Sequence, residues 1–478
     1  MNPRDYAVLA LDDKRLPGMP RQAFKRRSPV VPADPRDRAL AEQITLGCVK
    51  NWLHLTWLIT RFASRPIDQV DNRARLILAV ALYQHRFLDR VPEHAIVTEA
   101  VAQTRRLGEP TLPRAAGFVN AILRQAIREP DLSASLPARS EDPAGYAQLV
   151  LSHPRPLFER LAALLGPEDA LRFCEHDNRT PPTLLRLARG HTIDDLQRDL
   201  DGAPGEPGAP DGDPAGTLAA PEPADGRDGA GGDASVVDER TATVELLPHE
   251  APGIVVVRGA KQADFARWSE KGLAQVQDAT SAGIVTRLDV NPGMTVLDRC
   301  SGVGTKTQQL AEAVGADGRV FAVDAAGARI STLRRLVSRR KDLSHITAKR
   351  GEWMKELPAE WPDAYDRILI DAPCSNSGVL ARRAEARYID LAEADAALPP
   401  LQLAILRDTW PFLAPGGLLA YATCSVFPLE NGQVVRAFMA AHPEAELVEE
   451  HAVLPSYASD DPTVYRDGGY VAVLRKPG

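Results

Sequence analysis

The chain contains no run of about eighteen apolar residues, so no membrane-spanning helix is predicted. Its first twenty residues mix charges with prolines and lack an apolar core segment, which argues against a secretory signal. Five cysteines (Cys48, Cys174, Cys300, Cys374 and Cys424) lie far apart with no C-x-x-C spacing. That pattern excludes a disulfide framework and a structural zinc site, and reduced thiols fit the cytoplasm. Ten histidines are scattered, and none forms the i, i+4 pair with acidic company that a zinc hydrolase needs, so no metal is expected.

What is present is a chain of 478 residues, long enough for two to four domains, with an ordinary apolar fraction of 44%. Its net charge of −7 looks wrong for a nucleic-acid partner until it is divided along the chain. Residues 201–240 hold ten acids against two arginines, a local −8, which leaves +1 for the rest. Basic clusters occur at Lys25–Arg27, at Arg334, Arg335 and Arg339–Lys341, and at Arg382 and Arg383. Such clusters are either solvated faces or phosphate contacts.

Taken in order, residues 1–35 are rich in Pro, Arg and Asp without periodicity and read as a flexible basic arm. Residues 36–135 read as a helical domain, with apolar stripes at Leu76, Ala79, Val80 and Tyr83, at Val97, Ala100 and Val101, and at Val119, Ile122, Leu123 and Ala126. The phrases from Arg73 to Gln84, from Val91 to Val101 and from Gly117 to Arg124 resemble a NusB-like domain, an RNA- and protein-binding helical module. Asn120 and Arg124 there either brace the bundle or touch RNA. Residues 136–200 read as a helical linker and the start of a small α+β module, which resumes at 239–270 with two strand-like runs, Thr241–Leu247 and Gly253–Val257. Between them, residues 201–238 carry almost no large apolar side chain, and a disordered acidic insertion is expected.

From residue 271 to 478, strand and helix signals alternate as in a parallel, helix-flanked sheet, so the fold class is multi-domain with an α/β Rossmann-like C-terminal part. A short strand ends at Asp298 and is followed by Cys300-Ser301-Gly302-Val303-Gly304-Thr305-Lys306 and a helix. Glycines in that turn let a ligand approach the backbone, and the helix start offers free N–H groups. The next strand ends at Asp324, where an acid suits ribose hydroxyls, so a nucleoside cofactor is predicted. Two further strands lead into Asp371-Ala-Pro-Cys374-Ser and Tyr421-Ala-Thr-Cys424-Ser. Each delivers a thiol to the sheet edge where ligands bind in open α/β folds.

This order of phrases resembles the S-adenosylmethionine-dependent RNA cytosine-C5 methyltransferases of the NOL1/NOP2/Sun (Fmu) family. With its NusB-like front end, it is similar to the bacterial type that acts on small-subunit ribosomal RNA. Further matches are Val276-Gln-Asp278, Arg329 after Asp324, Gly378 to Arg383, Glu430-Asn431 and Asp467-Gly468. Cytosine C5 is a poor nucleophile until a thiolate adds at C6. The resemblance implies that Cys424 attacks, that Cys374 assists release, and that Asp371 lies beside both cofactor and base. It also implies that residues 300–306, Asp324, Arg329, Glu352 and Asp371 line the cofactor, and that Arg382 and Arg383 contact RNA. The cofactor turn departs from the family's usual Ala-Ala-Pro-Gly-Gly-Lys-Thr, and Asn376-Ser377 stands where Gly-Thr is usual. The expectation is a cytoplasmic, monomeric enzyme forming 5-methylcytosine in RNA, most directly ribosomal RNA. The alternatives are the same chemistry on transfer RNA and a non-catalytic RNA-binding assembly factor.

Overall fold

The computed structural model describes residues 1–12, 30–63, 66–89, 91–107, 115–129, 131–202, 243–351 and 357–478. Lys25–Arg27, Glu352 and the acidic insertion beyond Gly202 lie outside them. By its internal contacts the chain divides into a helical unit, Met1–Arg179 with Leu380–Leu391, and a sheet unit, Thr180–Val379 with Ala392–Gly478.

The helical unit comprises α1 (Pro3–Asp12), α2 (Pro35–Lys50), α3 (Trp52–Phe62), α4 (Asn72–Phe87), α5 (Glu93–Arg106), α6 (Ala116–Arg128), α7 (Pro143–Leu149), α8 (Arg155–Leu165) and α9 (Pro167–Asn178). Local chemistry sets several starts: Asp34 caps α2 by accepting from the Arg36 and Asp37 amides, with Pro35 at its first position, and Asp71 caps α4. The apolar stripe read on α4 is part of a helix buried on every side from Ala74 to Gln84, which makes it the central element of the bundle. Gly47 of α2 faces it, and a β-carbon there would sit 2.0 Å from the Tyr83 ring.

The basic arm expected over residues 1–35 is, from Pro3 to Asp12, helix α1. Ala7, Val8 and Leu11 are fully buried, and Asp5 accepts from Gln103 Nε2 at 3.0 Å and from Arg106 Nε at 2.9 Å. A ten-residue helix is marginal alone and takes its stability from packing, which the local sequence does not display. Two other boundaries move. The segment expected as a linker belongs to the helical unit as far as Arg179, and Leu380–Leu391, expected within the α/β domain, groups with the helices. There Arg387 is buried and donates to Lys50 O at 3.1 Å and Asn178 Oδ1 at 2.8 Å, while the Tyr388 hydroxyl donates to Val49 O at 2.8 Å.

In the sheet unit, β1 (Thr183–Leu187), α10 (Ile193–Asp201), β2 (Glu245–Pro248), β3 (Ile254–Arg258), α11 (Gln262–Glu270) and β4 (Ala274–Val276) form the small α+β module. Its antiparallel strand order is β2-β3-β1-β4, so it runs to Val276 instead of ending at 270. There follow α12 (Ala279–Thr286), β5 (Thr295–Asp298), α13 (Thr305–Val314), β6 (Arg319–Asp324), α14 (Gly327–Arg339), β7 (Ile346–Arg350), β8 (Tyr365–Asp371), α15 (Leu391–Thr409), β9 (Leu413–Thr423), α16 (Gly432–Ala441), β10 (Glu446–Val453) and β11 (Gly469–Arg475).

The described residues form a seven-stranded sheet in the order β10-β11-β9-β8-β5-β6-β7, parallel except for β10–β11 and β11–β9. Successive residues of a strand face opposite sides. Leu297, Ile368, Ile370, Leu419 and Tyr421 accordingly enter one apolar core, and Val296, Leu369, Ala420 and Ala422 the other. Burial on both faces is the reason these strands read as continuous apolar runs. Strand order reverses direction at β5, so the crevice at the carboxyl ends of β5 and β8 is the topological switch point.

Leu11→Ala should destabilise the helical unit by about 3 kcal/mol. Urea unfolding followed by circular dichroism measures it; an unchanged midpoint would mean that α1 contributes no packing.

Candidate active site

Strands β8 and β9 are adjacent and parallel, with Asp371 opposite Ala422. The ladder continues one step beyond β8, where the Ala372 amide donates to Ala422 O at 2.8 Å. Cys374 and Cys424 therefore leave the sheet side by side, and their sulfurs lie 3.0 Å apart. Both are half-buried. The hydrogen bond to Cys424, together with burial and nearby negative charge, pushes the Cys374 thiol well up, so that it keeps its proton.

A buried carboxylate fixes the two loops to each other. Glu430 is 3% exposed and accepts from the Ser375 amide at 2.8 Å, the Ser425 hydroxyl at 2.6 Å and Gln402 Nε2 at 3.1 Å, as well as from the Ser375 hydroxyl. Asn431 adds a second tie: it accepts from the Thr423 hydroxyl and donates to Ser425 O at 2.9 Å. Asn376 holds the turn between the thiols. Its φ is +61°, Nδ2 donates to Cys374 O at 3.0 Å, and Oδ1 accepts from Cys424 Sγ at 3.3 Å.

Beside the thiols, Lys306 Nζ donates to Asp371 Oδ2 at 2.7 Å. Burial opposes the Lys306 charge, but Asp371 and the neighbouring Cys424 outweigh it and hold the ammonium above its ordinary range. Lys306 is thus engaged with Asp371, at the point where the thiols, the α13 start and the ends of β5 and β8 converge.

The cofactor turn follows from glycine geometry. Gly302 and Gly304 have φ of +59° and +97°, and Gly304 caps α13, which starts at Thr305. At Gly304 a β-carbon would lie 2.4 Å from Leu333 Cδ1, whereas at Gly302 it would meet nothing within 4 Å. The Ser301 amide is spent on Val323 O, and Val303 is exposed. Asp324, ending β6, accepts from the Gly302 amide at 3.0 Å and the Ala326 amide at 2.7 Å; Arg329 lies 3.8 Å away and is largely exposed. Cys300 is buried, and burial pushes its thiol well up, as suits a residue that lines the turn without reacting.

Asp298 is 1% exposed; its Oδ2 accepts from Thr307 at 2.7 Å, while Oδ1 has no hydrogen-bond partner. Burial pushes its carboxyl up to about 7, with Thr307 opposing and Asp371 adding. The Ser301 hydroxyl is likewise buried without a partner. Unspent polar atoms at the ends of β5 and on its turn, open space at Gly302 and an acid at the end of β6 fit a nucleoside carrying an amino-acid tail: hydroxyls for Asp324, polar groups of the tail for Asp298 and Ser301.

Among the remaining expected residues, Arg382 is half-buried and Arg383 exposed, both in the segment that groups with the helices. Asn120 and Arg124 pair with each other along α6 at 3.0 Å. Sequence reasoning assigned no role to Glu430, Asn431 or Asn376. The available signal for the first two was their place among the phrases that match the family, and for Asn376 its departure from the usual glycine.

The family described as "16S rRNA methyltransferase RsmB/F" matches residues 285–461, and the NusB family matches residues 1–128. Among curated proteins, the chain is 32% identical to ribosomal RNA small subunit methyltransferase B of Klebsiella pneumoniae, over 86% of this chain and 84% of that one. It is 31% identical to the protein of the same name from Escherichia coli, over 87% and 84%. The solved structure titled "Crystal Structure of PH0851" has a TM-score of 0.72, covering 100% of this chain and 99% of its own at 20% identity, a likeness of fold.

Glu430→Ala strands the donors of Ser375 and Ser425 in a buried site and should cost about 3 kcal/mol, seen as a lowered denaturation midpoint. For Asp298 the folded pKa lies above the unfolded value, so its contribution is full below about pH 4 and is lost as pH rises through about 7. Asp298→Asn should therefore lose less stability than the wild type between pH 5 and pH 8; equal losses would show that Asp298 is ionised throughout.

Proposed function

The chain belongs to the ribosomal RNA small subunit methyltransferase B family, and on that premise we propose that it forms 5-methylcytosine in small-subunit ribosomal RNA, with Cys424 as nucleophile. It is an S-adenosylmethionine-dependent methyltransferase. When bound, that cofactor supplies an electrophilic methyl group on a sulfonium. The residues that would hold it are Asp324, Asp298, Ser301 and the glycine turn.

The observation that carries the reading is the pair of sulfurs 3.0 Å apart in unlike environments. Two thiolates at that separation cannot both form, and the contact with Cys424, together with burial, pushes the Cys374 thiol well up. The family resemblance gives the attack to Cys424, and the Lys306 ammonium is near enough for their charges to interact. Its addition to cytosine C6 moves the ring π pair toward C5, which becomes nucleophilic. Asp371, held by Lys306, is set to hydrogen-bond the exocyclic edge of the base as that charge develops. After methylation the C5 proton passes to water, its bonding pair re-forms the C5–C6 double bond, and the C6–S bond breaks, returning its electron pair to Cys424. The Cys374 S–H lies against that sulfur and stabilises it as it leaves. A base within folded RNA must first be unstacked to reach these groups.

The substrate assignment rests on the family and on the NusB match over residues 1–128, a helical unit suited to binding RNA. Arg382 and Arg383 are assigned to phosphate contact, and the enzyme's place of action is the cytoplasm, where ribosomal RNA is made in bacteria. Retention of both thiols disfavours a non-catalytic assembly factor.

Cys424→Ala should lower methyl incorporation into small-subunit ribosomal RNA by about a thousandfold or more and form no adduct. Cys374→Ala should accumulate a denaturant-stable protein–RNA adduct. Activity in Cys424→Ala would overturn the mechanism, and incorporation into transfer RNA alone would overturn the substrate.

A further inference from the structure

Asn376 occupies a position that the chemistry just described leaves unused. Its φ of +61° lies in the left-handed region, which non-glycine residues seldom adopt and asparagine tolerates best. The turn itself would be satisfied by glycine, so the side chain is an addition. That side chain points between the two cysteines. The Cys374 carbonyl oxygen can only accept, so Nδ2 must face it, at 3.0 Å. This orients the amide and leaves Oδ1 toward Cys424 Sγ at 3.3 Å, where an oxygen can only accept from the thiol.

We propose that Asn376 is a positioning residue for the nucleophile: it latches Cys424 in its protonated, resting rotamer and releases it when the base enters. The inference rests on the reading of Cys424 as nucleophile. A carbonyl-type acceptor stabilises the S–H form and not the thiolate, so the latch keeps the sulfur unreactive toward adventitious electrophiles while aiming it from a fixed turn. The other groups around this sulfur are Cys374 on the β8 loop, the Lys306–Asp371 pair from α13 and β8, and Glu430 acting through Ser375 and Ser425. Lys306 favours the thiolate, whereas Asn376, Asp371 and Glu430 do not. Breaking the latch on substrate entry removes the acceptor that favours the S–H form, and the thiol proton passes to water as the sulfur attacks.

The test is peptide-resolved alkylation of Cys424 by iodoacetamide across pH, in the full-length protein, for the wild type, Asn376→Gly and Asn376→Asp. Glycine keeps the turn and removes the latch; the midpoint for Cys424 should fall by about one pH unit. Aspartate keeps the shape and adds negative charge beside the sulfur; the midpoint should rise by a similar amount. In methylation assays Asn376→Gly should lower kcat about tenfold with KM for RNA unchanged, because aim is lost while RNA contacts stay. Coincident alkylation midpoints in all three proteins, or a kcat unchanged in Asn376→Gly, would overturn the latch. If instead Cys424→Ala retained activity, the nucleophile reading would fail first, and alkylation of Cys424 would no longer bear on catalysis.

Discussion

Glu430 is a carboxylate placed where water cannot reach it, and the catalytic geometry depends on what it ties together. Burying such a group is costly unless donors surround it. Here they come from both thiol-bearing loops, through Ser375 and Ser425, with Gln402 completing the set. Because the donors belong to both loops, the carboxylate is satisfied only when the loops are in register. The β8–β9 pairing brings Cys374 and Cys424 to the same edge, and Glu430 sets their separation. Two sulfurs with different duties thus become one site.

Electrostatics then divides the labour. At the carboxyl edge of one sheet the fold gathers Asp298, Asp324, Asp371 and two thiols, a concentration of potential negative charge that could not all ionise together. Each is handled differently. Asp324 is fixed by backbone amides, Asp371 by the Lys306 ammonium, and Asp298 is held near neutrality by burial. Cys374 retains its proton because Cys424 lies against it. The same crowding pushes the Asp298 carboxyl and the Cys374 thiol up, while amide donors and an ammonium offset the charge of the other two acids.

Much of this was legible in the sequence. The strands of the parallel sheet announced themselves as short apolar runs ending in acids or followed by cysteines, because both faces are buried and a single binding edge collects the polar ends. The paired Pro-Cys-Ser and Thr-Cys-Ser phrases marked the thiols. What was not legible depends on partners distant in the chain. Helix α1 reads as a loose arm because its three fully buried apolar residues, Ala7, Val8 and Leu11, are too few to show periodicity. The segment around Arg387 was read as part of the α/β domain because the carbonyls it satisfies, at Lys50 and Asp177, lie more than two hundred residues away. Glu430 stands out in the sequence only as part of a matching phrase and Asn376 only as a departure from the usual glycine; their significance is in what they touch, and a local pattern cannot display it.

The central claim is that Cys424 forms a covalent bond to cytosine C6 and that this bond must break through loss of the C5 substituent. Fluorine at C5 cannot leave as a proton does. Small-subunit ribosomal RNA containing 5-fluorocytidine, incubated with the wild-type protein and S-adenosylmethionine, should give a denaturant-stable adduct, and mass spectrometry should locate the RNA fragment on the Cys424 peptide. An adduct on Cys374, or none while ordinary RNA is methylated under the same conditions, would contradict the account.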